Sequence, residues 1–283
     1  MRDATSYRVI APYYDAIMAH VDYDAWGRYL GRLWRKFGSH PSSILELGAG
    51  TCPFDRRRVF PHDALTVYAD LSPFMLAQGR DTSGPAGNLR VLDNPREAVK
   101  PRVAVTSRVA VNPRVAANAL ALPFRGPFQL CLMVYDALNY LMREEDLARC
   151  LAEVRRVLAP GGLFIFDVTT EANSRRHFDQ SLDFGEMQGC VYVRESTFDR
   201  AARLQRNDFT FFVEQGEGLW RKLRECHQQR IYRLARIKAM ARRAGFELAG
   251  CFEGFTFRPG RETSERVHFA LKKPGKTPGR PPQ

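Results

Sequence analysis

Nowhere in the chain does an apolar run approach the roughly 20 residues needed to cross a bilayer. The first residues also lack the charged-then-apolar pattern of an export signal. A membrane-spanning or secreted protein is thereby disfavoured, and a cytoplasmic location is expected. The six cysteines, at 52, 131, 150, 190, 226 and 251, show no paired metal-ligand spacing. No metal is expected, and the thiols read as reduced and packed. A formal net charge of +12 over 283 residues invites a nucleic-acid partner. The arginines, however, are scattered among acids, and neither an RNA-recognition module nor a zinc knuckle is present. The positive excess thickens only over residues 96–114 and in the tail 273–283, which is rich in Pro and Gly without apolar anchors and reads as disordered. This length suits one doubly wound domain with additions.

What is present gathers between residues 43 and 168. The apolar run Ser43-Ile44-Leu45 leads into Glu46-Leu47-Gly48-Ala49-Gly50-Thr51-Cys52. A strand that ends in an acid and breaks into two alternating glycines brings bare backbone to a ligand at the carboxyl edge of a parallel sheet. A dinucleotide fingerprint would place a third glycine three residues after the second, where this chain has Pro53. Leu65 to Asp70 is β-rich and ends in an acid roughly 20 residues past the glycines, where a second parallel strand presents a carboxylate to ribose hydroxyls. Ser72 and Pro73 suit the cap and first turn of the next helix. Phe128 to Val134 reads as a buried fourth strand, and Leu147, Leu151, Val154 and Leu158 mark the core face of a helix over 144–158. Pro160-Gly161-Gly162 stops that helix before a fifth strand, Leu163 to Asp167.

These landmarks, in this order, resemble the class I S-adenosylmethionine-dependent methyltransferases. Glu46 to Gly50 is similar to their glycine-rich motif, Asp70 to Leu76 to their "D-x-S-x-x-M-L" segment, and Leu158 to Asp167 to their post-helix strand. The resemblance implies an α/β fold: a Rossmann-like, seven-stranded, mostly parallel doubly wound sheet whose last strand is antiparallel. It further implies S-adenosyl-L-methionine as cofactor, held by Glu46, Gly48, Ala49, Gly50, Asp70, Leu71, Asn118, Ala119, Val134 and Tyr135. Cys52 replaces the family's third glycine, which makes the loop less permissive. Asn118 stands just before Ala119-Leu120-Ala121-Leu122-Pro123-Phe124, where the family places the residue that bonds the adenine amino group. Asp93, at the end of Asn88 to Asp93, is the alternative. Between them an insertion (about 93–113) repeats Arg-Val-Ala at 102, 108 and 114 and reads as a hairpin or mobile loop.

Around this core (41–170) the expected parts are an N-terminal helical lid over 1–40, an antiparallel β flap over 185–232 and a C-terminal part of the core over 233–272. The flap should hold strands at 189–199, 206–214 and 220–232. After it come a helix from Leu234 to Arg243 capped by Gly245, then strands over 247–252 and 267–271. This layout resembles small-molecule N- and O-methyltransferases, including amino-sugar N-methyltransferases. Ile10 to Met18 resembles that group's opening helix, which makes Tyr14 a lid residue facing the acceptor or the sulfonium. In the loop after the fourth strand Asp136 is the candidate base, with Asn139, Tyr140 and His227 behind it. The expected partner is a small-molecule acceptor offering nitrogen or oxygen. The alternatives are an RNA methyltransferase and a non-catalytic nucleotide-binding protein of the same fold.

Overall fold

Strand β1 (Ser43–Leu47) carries apolar side chains on both faces because the sheet it centres is covered on both sides. In a computed structural model that describes residues 7–79, 89–91, 112–187 and 189–275, Leu45 and Leu47 enter one core and Ile44 the other. The remaining strands of this sheet are β2 (Leu65–Asp70), β3 (Leu89–Val91), β4 (Arg114–Ala116), β5 (Phe128–Met133), β6 (Leu158–Thr169), β11 (Glu247–Glu253) and β12 (Arg266–Lys272). Their order is β11-β12-β6-β5-β1-β2-β4-β3. Every pairing is parallel except those of β12 with β6 and β11, so the last strand is the reversed one. The sheet has eight strands, one more than the seven expected, because Leu89–Val91, within the Asn88 to Asp93 run that could serve as the third strand, and Arg114–Ala116 both form short strands on one side of it.

Helix α5 (Glu144–Val157) buries Leu147, Leu151 and Val154 completely, as their spacing predicts. It packs on one face of the sheet with α7 (Leu234–Arg243), while α2 (Tyr23–Phe37) covers the other face through Trp26, Tyr29, Leu30 and Leu33. Helix α7 ends where expected: Gly245 adopts a left-handed conformation with φ +81°. Strand β6 begins earlier than expected. Leu158 is already extended and pairs with Phe128, and the Pro160-Gly161-Gly162 stretch is absorbed as a register shift before Leu130 pairs with Leu163. The short helices α3 (Pro53–Arg56) and α6 (Glu171–His177) follow β1 and β6, and Ser72 occupies the cap of α4 (Pro73–Gln78), but its side chain makes no capping bond.

A second, antiparallel sheet has the order β10-β9-β8-β7, formed by β7 (Ser181–Met187), β8 (Cys190–Asp199), β9 (Leu204–Gly216) and β10 (Leu219–Arg230). It has four strands where the sequence suggested three. Its inner face buries Cys190, Phe209 and Phe211 against Ile10 of the N-terminal segment, a cluster separate from the two cores of the main sheet. Cys226 is exposed, unlike the packed thiol expected. That N-terminal segment runs through a 3₁₀ turn (Ala11–Tyr13) into α1 (Tyr14–Ile17). Asp15 fastens α1 to the glycine loop, accepting from Thr51 Oγ1 at 2.6 Å and from Arg56 at 2.7 Å.

The third copy of the Arg-Val-Ala echo becomes strand β4, and Arg114 pairs with Asp55 at 3.2 Å. The other two copies and Asp93 lie outside the described residues, as does the tail beyond 275. Lys273, read from sequence as the start of a disordered tail, is held: its ammonium donates to the carbonyls of Arg155 and Leu158. Among the described residues no helix is long and apolar enough to cross a membrane.

Candidate active site

Where β1 ends, the chain turns through two left-handed glycines, Gly48 at φ +67° and Gly50 at φ +56°. A Cβ on Gly48 would lie 2.9 Å from the Ala137 Cβ, so this backbone has been brought as close to the next loop as glycine allows. Cys52, in the third-glycine position, also takes a left-handed conformation (φ 55°) and is fully buried. The departure from the family motif therefore costs local strain and leaves the shape of the loop intact.

At the tip of β2, Asp70 braces that loop. Its carboxylate accepts from the Gly50 amide at 2.8 Å and from the Ser72 amide at 2.7 Å. Burial nonetheless raises its pKa above the ordinary carboxylate value, against those two amides. Glu46 is pushed well above the usual range by burial, with Asp55 and Asp70 adding to the effect. Its Oε2 is buried with no hydrogen-bond partner among the described residues. Two carboxyls disfavoured as anions make a place that gains from a cation.

A cavity of about 440 Å³ opens over these strand tips. Of the residues expected at the cofactor, Gly48, Gly50, Asp70, Leu71, Asn118, Ala119, Val134 and Tyr135 line it, as does the lid residue Tyr14. Glu46 and Ala49 do not. Glu46 lies under the loop, and the Ala49 amide donates to the Ala69 carbonyl at 3.1 Å, which ties the loop to β2. Asn118 Oδ1 accepts from the Leu120 amide at 2.9 Å, so its amide plane is set by its own turn. Sequence reasoning missed Tyr7, Met75, Ala137 and Gln228, which also line the cavity. Met75 belongs to the Asp70 to Leu76 segment, but no motif marks Tyr7 or Gln228, which parts of the chain far from the glycine loop bring there.

The catalytic candidates separate here. Tyr14 and Tyr140 face the cavity; Asp136, Asn139 and His227 are not among its lining residues. Asp136 corrects the expectation of a free base. Its oxygens accept from Arg266 at 2.9 Å and from the Gln229 amide, and its own amide donates to Asp167 at 3.0 Å. Arg266 also pairs with Asp167, whose side chain is fully buried. Asp136 thus anchors its loop, in which both Tyr135 (φ 62°) and Asp136 (φ 51°) are left-handed. Asn139 is fully buried. It donates to the carbonyls of Arg230 (2.8 Å) and Thr169 (3.3 Å) and accepts from the Thr169 amide (3.1 Å), clamping three segments. His227 is also buried, with Nε2 at 3.1 Å from Glu225 and its ring 4.4 Å from that of Tyr7. Asp136 reaches Gln229 and Arg266 across 93 and 130 residues and Asn139 reaches Arg230 across 91, whereas Asp167 and Thr169 lie 31 and 30 residues away and Glu225 is two residues from His227.

A second, more open cavity of about 610 Å³ lies beside the first and shares Tyr135 with it. Trp26, Phe255 and Arg266 contribute to its walls, and the Arg266 guanidinium sits over the rings of Trp26 (5.4 Å) and Tyr135 (5.1 Å).

A doubly wound sheet with its last strand reversed, carrying a left-handed glycine turn and a carboxylate at adjacent strand tips, defines the Rossmann-like fold of class I methyltransferases. Residues 45–166 match the family model described as methyltransferase domain. A Bacillus subtilis (strain 168) protein named "Putative methyltransferase YqeM" is 25% identical over 267 residues, covering 94% of this chain and 97% of that one. Among solved structures, an S-adenosylmethionine-dependent methyltransferase from Clostridium acetobutylicum superposes with a TM-score of 0.71 at 22% identity, covering 95% of this chain and 99% of that one. A sugar N-methyltransferase from a Streptoalloteichus species superposes with a TM-score of 0.67 at 18% identity, covering 92% of both chains. Residues 45–166 therefore carry a methyltransferase domain on the class I fold, and the donor named for the solved neighbour from Clostridium acetobutylicum is S-adenosylmethionine. The residues present fit that donor: a glycine turn that a Cβ would fill, a ribose-height carboxylate, and buried acids short of a cation.

Replacing Asp70 with alanine is expected to weaken S-adenosylmethionine binding at least about tenfold, because a braced loop and a ribose partner are lost together. Unchanged affinity in a calorimetric titration would remove Asp70 from the site.

Proposed function

We propose that the enzyme methylates a small molecule, and that the atom methylated is an amine nitrogen. The observation that carries this reading is the set of groups around the cavity. Among the described lining residues there is no histidine and no lysine. The carboxylates there are Asp70, engaged by two backbone amides, and Asp146, which faces Arg143. Burial pushes Tyr7 and Tyr14 well above the ordinary phenol range, so both stay protonated at neutral pH. An unactivated hydroxyl would need a base within about 3 Å, whereas an amine brings its own lone pair.

When bound, S-adenosylmethionine supplies a methyl group already activated by its sulfonium charge. The chain's part is to hold an acceptor in line with that group and to exclude water, which removes association entropy from the barrier. The first cavity is of a size to be filled largely by the donor. The acceptor would approach over the rings of Tyr7, Tyr14 and Tyr140, which line the same cavity. A structural neighbour described as a sugar N-methyltransferase supports a polar amine acceptor.

Calorimetry with S-adenosylmethionine beside NAD tests the donor. Release of S-adenosylhomocysteine over matched panels of small amines and alcohols tests the acceptor, with turnover expected among the amines. Turnover confined to alcohols, or to tRNA, would end this reading. Because Glu46 and Asp70 have raised pKa values, a bound cation should help both to ionise. Affinity for S-adenosylmethionine should therefore climb with pH above the ordinary carboxylate value of about 4.3. It should climb more steeply than affinity for S-adenosylhomocysteine, which lacks the sulfonium charge. Equal slopes for the two ligands would show that the carboxyls do not sense the sulfur.

A further inference from the structure

The inward face of β10 carries a charged side chain where alternation calls for an apolar one. Glu225 stands between the inward Leu223 and His227, opposite Phe209. Its side chain is 11% exposed, and its two oxygens accept three backbone amides from a segment more than 200 residues away: Tyr7 at 2.6 Å, Val9 at 2.8 Å and Ile10 at 3.0 Å. His227 adds a fourth contact at 3.1 Å. Burial opposes the charge, but these partners outweigh it and hold the carboxyl below its usual range.

The segment so gripped forms one wall of the donor cavity. Tyr7 and Tyr14 both line it, their rings 6.0 Å apart, and Tyr7 hydrogen-bonds Tyr140 from the loop after β5. The ring of Tyr7 rests on His227 from the other side. Its backbone and its ring are therefore both set by β10. Farther along, Asp15 fastens the same segment to Thr51 and Arg56 at the glycine loop. The segment is thus tied at one end to the second sheet and at the other to the main domain, with two tyrosines between the ties.

We propose that Glu225 is a positioning residue for cofactor retention: by clasping the amides of Tyr7, Val9 and Ile10 it holds Tyr7 across the donor cavity, and so sets how long the cofactor stays bound. The carboxylate touches neither donor nor acceptor. It acts through Tyr7.

The test is the dissociation rate of S-adenosylhomocysteine, measured by stopped-flow displacement, for the full chain and for Glu225→Gln, Tyr7→Ala and the double variant. Glutamine keeps the shape of the side chain but loses the charge that favours three amide donors. The dissociation rate is expected to rise at least about tenfold in each single variant. The double variant should be no faster than the faster single one, because both changes release the same ring. Amide exchange at Tyr7, Val9 and Ile10 should accelerate in Glu225→Gln while exchange in β1 and β5 stays as it was. A variant whose dissociation rate is unchanged, or a pair whose effects multiply independently, would overturn the proposal. If Glu225→Gln does not fold, Val9→Pro removes one of the three clasped amides and leaves Glu225 and Ile10 in place. Its dissociation rate must also rise, and an unchanged rate would overturn the proposal equally.

Discussion

Arg266→Met is expected to lower the free energy of unfolding by about 3 kcal/mol, the lower end of the range for removing one partner of a buried ion pair. Arg266 is the cation between two carboxylates: it pairs with Asp136 and with the fully buried Asp167 while lying over Trp26 and Tyr135. Methionine retains much of the apolar contact and removes the charge, so the loss isolates the electrostatic part. The pH dependence carries the distinguishing sign. Burial already raises the pKa of both aspartates above the ordinary value, with Arg266 pulling the other way. A carboxyl whose pKa is higher folded than unfolded binds more protons in the folded state, so the stability it contributes at low pH is lost as pH rises. Without Arg266 that effect grows. The deficit of the variant should be largest near pH 8 and should shrink toward about pH 5, as the aspartates take up a proton. Urea unfolding at the two pH values measures it. The same deficit at both would show that the two carboxyls do not depend on this cation.

Gly48→Val should abolish donor binding for practical purposes, raising the dissociation constant at least about a hundredfold, or roughly 2.7 kcal/mol. A β-branched residue at φ +67° is a steric outlier, and its Cβ would meet the Ala137 Cβ at 2.9 Å. The loop can relieve both only by moving out of the cavity, taking the Gly50 amide away from Asp70. Stability should change far less than affinity, since the strain is local and costs on the order of 1–3 kcal/mol. Calorimetry with S-adenosylhomocysteine decides the point: affinity retained within about threefold would place the donor elsewhere.

The parts legible from sequence were those whose cause is local. Glu46, Gly48 and Gly50 announce a strand tip and a turn within five residues. Asp70 follows from a β-rich run of known spacing, and α5 follows from its leucines. Even the substitution at Cys52 could be read, because one position decides it. What could not be read is which polar side chains are already spoken for. Asp136 looked like a base because its partners, Gln229 and Arg266, are 93 and 130 residues away. Asn139 looked available because Arg230, the partner that its amide meets most closely, is 91 residues away. Tyr7 carries no motif at all. Glu225 left one trace, a carboxylate on the inward side of an alternating strand, which only a partner from another element can explain.

The reversed strand β12 lies between β6 and β11, so a strand from late in the sequence fills an interior slot. Its first residue is Arg266, delivered to the edge of the sheet where the donor site lies. During synthesis every other part of that site is made before the cation that neutralises its supporting loop. Until residue 266 emerges, the nascent chain holds Asp136 and Asp167 facing one another without a counterion. The two carboxylates and their cation thus come from three stretches far apart in the chain, and the loop after β5 is neutralised only once β12 has taken its place between β6 and β11.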